Sequence, residues 1–256
     1  INFLGYPGTM GSNAYDYIFS DEIIIPKEFQ RFYTEKVLRL PYFFPPNYRA
    51  SEKISLKNIT REEFDLPNNV FVFTCFNLNK KITQKEFDIW MRLLYKVEDS
   101  VLWLQKSNDF SEVNLIKEAE KRSINPKRII FSKKLKSIKR HLARYSLGDL
   151  GLDTFCYNGH TTTSDALCLG LPVLTKIGKS FSARVSASIL NSLGLDELVV
   201  NNEKEYEEKA LYFAKNRLEL NKIKTFLHSL NKDSSLFNRK EYTKNLENFY
   251  SELTSD

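Results

Sequence analysis

From about residue 70 the chain alternates short, continuous apolar runs with stretches whose apolar residues recur every three or four positions. VFVFTCF (70–76) has no polar alternation, which predicts a strand buried on both faces. Phe87, Trp90, Met91 and Leu94 then fall at i, i+3, i+4 and i+7, one face of an amphipathic helix. The pattern continues with a strand at 100–105 (SVLWLQ), a helix over 111–122, a strand at 128–132 (RIIFS) and a basic helix over 136–145. A short strand at 150–153 (LGLD) precedes a helix over 162–169, closed by Gly170 and Pro172. After it come a strand at 172–175, a helix over 181–193, a strand at 197–200 and helices through 203–230. A last amphipathic helix carries Tyr242, Leu246, Phe249, Tyr250 and Leu253. Strand alternating with helix predicts an α/β fold: a Rossmann-like, doubly wound parallel sheet covered on both faces.

Residues 1–55 read differently. INFLGYPGTMGSNAYDYIFSD gives strand, glycine-rich loop, strand; KEFQRFYTEKV (27–37) is helical in pattern; LRLPYFFPPNYRAS, with three prolines, is a connector. This segment is expected to be the end of an N-terminal α/β domain. A polar link over 52–69 leads into a complete C-terminal domain, with domains set at 1–55 and 56–256. The opening INFLGYPG, without Met, reads like the interior of a longer protein.

Composition narrows the classes. The 256 residues are 42% hydrophobic and 13% aromatic, enough for a packed core. A net charge of +6, from 38 basic and 32 acidic residues, is mild and spread out, so a dedicated nucleic-acid binder is not expected. Three cysteines without a CxxC pair argue against a zinc site or a disulfide framework and suit a reducing, cytoplasmic setting. No apolar run approaches the roughly 20 residues of a membrane span, so no membrane partner is expected.

Candidate chemistry clusters where a parallel sheet binds ligands, beyond the carboxyl ends of its strands. Three of the nine glycines lie in residues 5–11 and the other six in 148–194. NGHTTTSDAL (158–167) leads from a strand into a helix. Gly159, Thr161, Thr162 and Thr163 at a helix N-terminus could cradle a diphosphate. Equally, Thr162-x-x-Asp165 fits a capping box that merely starts the helix. Lys81, after the strand at 70–76, is placed either to meet a phosphate or to lie in solvent among other lysines. His141, in KKLKSIKRHLARY, reads as part of a solvated basic face or as a ring stacked on a base. His228 has no assigned role. GKS at 178–180 lacks the first glycine of a P-loop, since Val173 stands there.

Taken together, LGDLGLDTFCYNGHTTTSDALCLGLPVLTKIGKSFSARVSASIL, FLGYPGTMGSNAYDYIFSD, FNLNKKIT, RIIFS, HLARYSLGDLGLDT and SSLFNRKEYTKNLENFY resemble, in order, the C-terminal catalytic half of the O-linked N-acetylglucosamine transferase / SPINDLY family. The resemblance covers almost the whole chain. It implies a GT-B glycosyltransferase, with the C-terminal domain complete and only the tail of the N-terminal one. It implies that Lys81 stabilises the departing diphosphate, with His160, Thr161 and Thr162 beside it. Asp165 would hold the ribose, His141 would pack on the uracil, and Leu4 and Gly5 would border the sugar. The implied reaction is inverting and needs no metal and no cofactor beyond the UDP-sugar substrate. A sugar, N-acetylglucosamine favoured, moves to Ser or Thr of a protein acceptor.

The chain also departs from the family pattern. Leu78 stands where the animal enzymes have glutamine. Ile138 stands where a lysine is expected, so Lys136, Lys139 or Arg140 would have to substitute. The family's first-domain histidine, discussed as a general base, has no counterpart here. His160 and Asp165 resemble the N-acetylglucosamine enzymes, whereas SPINDLY-type fucosyltransferases carry glycine and glutamate there, which favours UDP over GDP. The alternative is a non-catalytic nucleotide-sugar-binding or interaction module.

Overall fold

The computed structural model describes residues 1–47, 59–231 and 233–255. The expected domain boundary at 55/56, the end of the connector and residues 52–58 of the polar link lie outside the described residues.

The larger unit is a six-stranded sheet in which every neighbouring pair is parallel. Its strands are β3 (Phe71–Cys75), β4 (Ser100–Gln105), β5 (Ile129–Ser132), β6 (Leu150–Leu152), β7 (Val173–Lys176) and β8 (Val199–Val200), in the order β5-β4-β3-β6-β7-β8. Each residue of β3 is buried, as its unbroken apolar run predicts. Helices α1 (Gln84–Lys96), α2 (Asp109–Lys121), α3 (Ile138–Ala143), α4 (Thr161–Cys168), α5 (Val185–Asn191), α6 (Glu203–Lys215) and α7 (Arg217–Ser229) follow. In α1 the predicted face, Phe87, Trp90, Met91 and Leu94, is buried. Helix α2 starts on a capping box, Ser111 N–H donating to Asn108 Oδ1 at 2.8 Å. Gly170, with φ +77°, closes α4. A Cβ there would lie 2.2 Å from the His228 ring, so α7 reaches α4 only because the residue is glycine.

The smaller unit pairs β1 (Tyr17–Ser20) with β2 (Lys36–Arg39), again in parallel. Here the helical expectation over residues 27–37 is wrong. Lys27–Phe32 is a 3-10 turn that ends at Tyr33, and Lys36 and Val37 belong to β2. Gln30 shows why: its amide bonds Glu35 O at 2.9 Å and Val37 N–H at 3.2 Å, turning the chain to lay Val37 and Leu38 against β1. Burying those two side chains outweighs a helical spacing that no core supports. The expected helix over 181–193 also divides, into a 3-10 turn at Phe181–Ala183 and α5, and the expected strand at 197–200 shortens to β8.

The last helix, α8 (Arg239–Thr254), packs on the smaller unit: Phe249 and Tyr250 each meet Phe19 edge-on at 5.8 Å, and Tyr242 Oη donates to Phe43 O at 2.8 Å. The units also join through Asp21, a buried carboxylate that accepts from the N–H groups of Ile23, Ile24 and Phe43 and from the Ser188 hydroxyl. Arg184 donates to Ile23 O at 2.7 Å and Gly178 O at 2.8 Å. No helix among the described residues is long and apolar enough to cross a membrane.

Candidate functional site

The strand order reverses between β3 and β6, so a crevice opens beyond their carboxyl ends. The residues that follow these strands meet there. Asn77, after β3, donates to Asp153 Oδ1 and to Thr154 Oγ1, both at 2.9 Å. Asn77 Oδ1 accepts from the Thr162 hydroxyl at the start of α4. Asp153, after β6, also accepts from Thr175 Oγ1 at 2.7 Å. Burial raises the Asp153 carboxyl above its usual range, against these hydrogen bonds. The result is a polar floor that ties two strand ends to the first turn of α4.

Lys81 lies above it, in the 3-10 turn Asn79–Lys81 after β3. Its ammonium donates to Asn158 O at 2.9 Å and sits 3.9 Å from the centre of the Tyr157 ring. Tyr157 in turn stacks on His160, with ring centres 4.7 Å apart and planes 27° from parallel. Lys81 and His160, both predicted, therefore stack on the same aromatic ring, Tyr157, beside α4. Burial lowers the Lys81 pKa, and the nearby Asp153 charge works in the opposite direction.

His160 is the N-cap of α4, and its φ of +36° is rare for a residue with a side chain. Such a backbone costs about 1–3 kcal/mol and persists where the surroundings over-determine it. The capping-box expectation fails here. The helix starts at Thr161, no side chain caps it, and Asp165 lies within the helix, 2% exposed and bonded to Asn47. A packed tertiary partner displaces the local hydrogen bond that spacing alone suggests.

The His160 Nε2–H donates to Ser182 O at 3.1 Å, since a carbonyl can only accept. Burial, reinforced by Lys81 and opposed by that hydrogen bond, lowers its pKa to about 4. The ring is neutral at neutral pH. A folded pKa below the unfolded value of about 6.5 means that the unfolded chain binds the proton more readily. His160 thus contributes stability above pH 6.5 that is lost as pH falls toward 4, at most roughly 3 kcal/mol. Thermal melts of the native protein and of His160→Asn, which tolerates positive φ, should converge over that window as acid is added.

A cleft of about 370 Å³ lies between the two units, lined by Leu4, Phe44, Pro45 and Pro46 from the smaller and His160, Thr161 and Ser164 from α4, with Asn47 between them. Gly5 is exposed beside Leu4. The loop they belong to is held by Asn2, which donates to Tyr6 O and Gly8 O, and by Glu35, which accepts from Met10 N–H at 2.6 Å and Thr9 Oγ1 at 2.7 Å. Burial alone would raise the Glu35 carboxyl, but these donors hold it below its ordinary range.

His141 sits apart from the stack, on α3. Its ring meets Tyr145 edge-on at 6.1 Å, and Tyr145 meets Phe76, at the end of β3, at 5.0 Å. Arg144 lies over Phe76 at 4.2 Å and donates to Ser132 Oγ at 2.8 Å. It is 1% exposed, and its Nε and Nη2 find no hydrogen-bond partner. Of the residues proposed to substitute at Ile138, Arg140 is engaged by Glu63. Sequence reading missed Tyr157, Asn77, Asp153, Asn47 and Arg144. Asn77 and Asp153 could have been found as the first polar positions after buried strands.

Comparison with known proteins fits this crevice. Residues 46–246, the sheet and every element around the stack, match the model of glycosyl transferase family 41. The chain belongs to glycosyl transferase family 41. It is 32% identical over 98% of its length to the Arabidopsis thaliana protein named probable UDP-N-acetylglucosamine-peptide N-acetylglucosaminyltransferase SEC, covering 26% of that protein. It is 30% identical, over 98% of its length and 27% of the relative's, to the Solanum lycopersicum protein of that description named SPINDLY. A mutant of the Thermobaculum terrenum O-GlcNAc transferase superposes with a TM-score of 0.82 at 26% identity, over 97% of this chain and 46% of that one. The fold is thus GT-B, as the resemblance implied. The family 41 chain spans about a quarter of the length of the curated relatives it matches.

Proposed function

We propose that this chain is the nucleotide-sugar-binding part of an inverting glycosyltransferase that moves a sugar, N-acetylglucosamine favoured, from a UDP-sugar to Ser or Thr of protein acceptors in the cytoplasm. Residues 1–55 act as the end of one catalytic domain and 56–256 as the other. The observation that carries this reading is the Lys81–Tyr157–His160 stack against the first turn of α4, at the point where the strand order reverses. The relatives' names supply the UDP-N-acetylglucosamine and the peptide acceptor.

In the proposed reaction an acceptor hydroxyl oxygen attacks the sugar's C1 from the face opposite the diphosphate. A C1–O bond forms as the bond to the β-phosphate oxygen breaks, the hydroxyl proton passes to water, and negative charge gathers on that phosphate. Lys81, with Thr161 and Thr162 at the positive end of α4, stabilises this charge without a metal. His160, neutral, serves as a wall of the site rather than as a cation. Asp165 holds the ribose, His141 packs on the uracil, and Leu4 and Gly5 border the sugar.

Isothermal titration tests the donor site. UDP is expected to bind this chain at least roughly tenfold more tightly than GDP, since a pocket that hydrogen-bonds one base leaves polar groups unpaired with another. Absence of UDP binding, or binding indifferent to both Lys81→Ala and His160→Ala, would sink the proposal.

A further inference from the structure

Asp165 is buried in α4, where a carboxylate is tolerated only with hydrogen-bond partners. One comes from far away in sequence. Asn47 Nδ2 donates to Asp165 Oδ1 at 2.7 Å and lies 3.2 Å from Ser164 Oγ. Asn47 is itself buried, and its backbone N–H donates to Leu236 O at 2.7 Å, fixing the residue from a third part of the chain. It also lines the cleft, between Pro46 of the smaller unit and the α4 residues His160, Thr161 and Ser164. The same residue therefore lines the cleft and tethers the buried carboxylate of α4.

We infer that Asn47 is a positioning residue for the nucleotide's ribose: it holds the Asp165 carboxylate in the orientation that receives the ribose hydroxyls. The inference rests on the reading of Asp165 as the ribose group. Its physical content is preorganisation. A carboxylate side chain free to change rotamer would give up part of each hydrogen bond to the ordering of its own two torsions, whereas one gripped by a fixed amide does not. Because Asn47 follows Phe44, Pro45 and Pro46 on the same connector, the grip also transmits the seating of the smaller unit to the nucleotide.

The test uses titration of the 256-residue chain with UDP and with UDP lacking both ribose hydroxyls. The native protein is expected to prefer UDP by roughly tenfold or more, the range for a hydrogen bond to a charged group. Asn47→Ala should shrink that preference to within about threefold and leave affinity for the dideoxy ligand within about threefold of native. Asp165→Asn should do the same. Should alanine cost too much stability, Asn47→Ser, polar but too short to reach Asp165, carries the same expectation. A preference unchanged in the Asn47 variants overturns the proposal, and so does an equal fall for both ligands, which would mean a loosened cleft. Native protein that binds both ligands alike removes the ribose role of Asp165, and that of Asn47 with it, while UDP binding stands. Native protein that binds neither overturns the functional reading itself.

Discussion

Replacing Lys81 by methionine is expected to weaken UDP binding roughly 10–100-fold, the 1.5–3 kcal/mol of a hydrogen bond to a charged group. Methionine keeps most of the apolar stem against Tyr157 and removes only the ammonium, so the loss reports charge rather than packing. In the complete enzyme the effect on turnover should be larger, about 10²–10³-fold, because charge builds on the β-phosphate only as the sugar leaves. Lys81→Arg should retain part of the affinity but not all. Its planar fork cannot occupy the position over Tyr157 while donating to Asn158 O as a compact ammonium does. Titration at two ionic strengths adds a check: the native affinity should fall with salt more steeply than that of Lys81→Met. Equal affinities for native and Lys81→Met would remove Lys81 from the site.

The second large effect is expected at Gly159. A Cβ on this residue would lie 2.3 Å from Thr163 Oγ1, 2.8 Å from Thr162 Oγ1 and 3.1 Å from Asn77 Oδ1. Neither hydroxyl is free to retreat. Thr163 is bonded to Ser186 Oγ at 2.7 Å, and Thr162 is bonded to Asn77 and to Gly159 O. Gly159→Ala must therefore push the first turn of α4 off the polar floor. Overpacking of this kind costs about 1–3 kcal/mol, and the melting temperature should fall accordingly. UDP affinity should drop at least tenfold, since displacements near 1 Å at a positioned group are costly. Adding Thr163→Ala removes the nearest obstacle and should restore part of the melting temperature. A Gly159→Ala protein with native stability and affinity would show that the loop and the helix are less rigidly joined than their contacts imply.

Most of the sheet was legible in advance because burial on both faces leaves no polar alternation. SVLWLQ matches β4 residue for residue, and VFVFTCF differs from β3 by one at each end. The misreadings share a cause. At 27–37 and at Thr162-x-x-Asp165 a local pattern promised a local structure, and a partner distant in sequence prevailed: β1 in the first case, Asn47 in the second. The site was legible only as separate fragments. Lys81 and His160 could each be suspected, but nothing in their spacing reveals that both meet the Tyr157 ring. Asn77 with Asp153, and Asn47 with Asp165, are 76 and 118 positions apart, beyond the reach of any periodicity. The resemblance to a known family joined the expected donor residues across those gaps. Physical reading of the contacts supplies the groups that hold them.

Helix α8 gives the molecule a thermodynamic character that its two sheets alone would not. The C-terminal helix buries its aromatic face on Phe19 near the start of the chain, so the smaller unit is completed by residues more than 200 positions later. A two-stranded sheet is marginal by itself in water. Contacts with α8 add to its stability, beside those it makes with the larger unit through Asp21 and Arg184. The contact between β1 and α8 closes a long loop of sequence, and the crevice beyond β3 and β6 lies in the part that loop encloses.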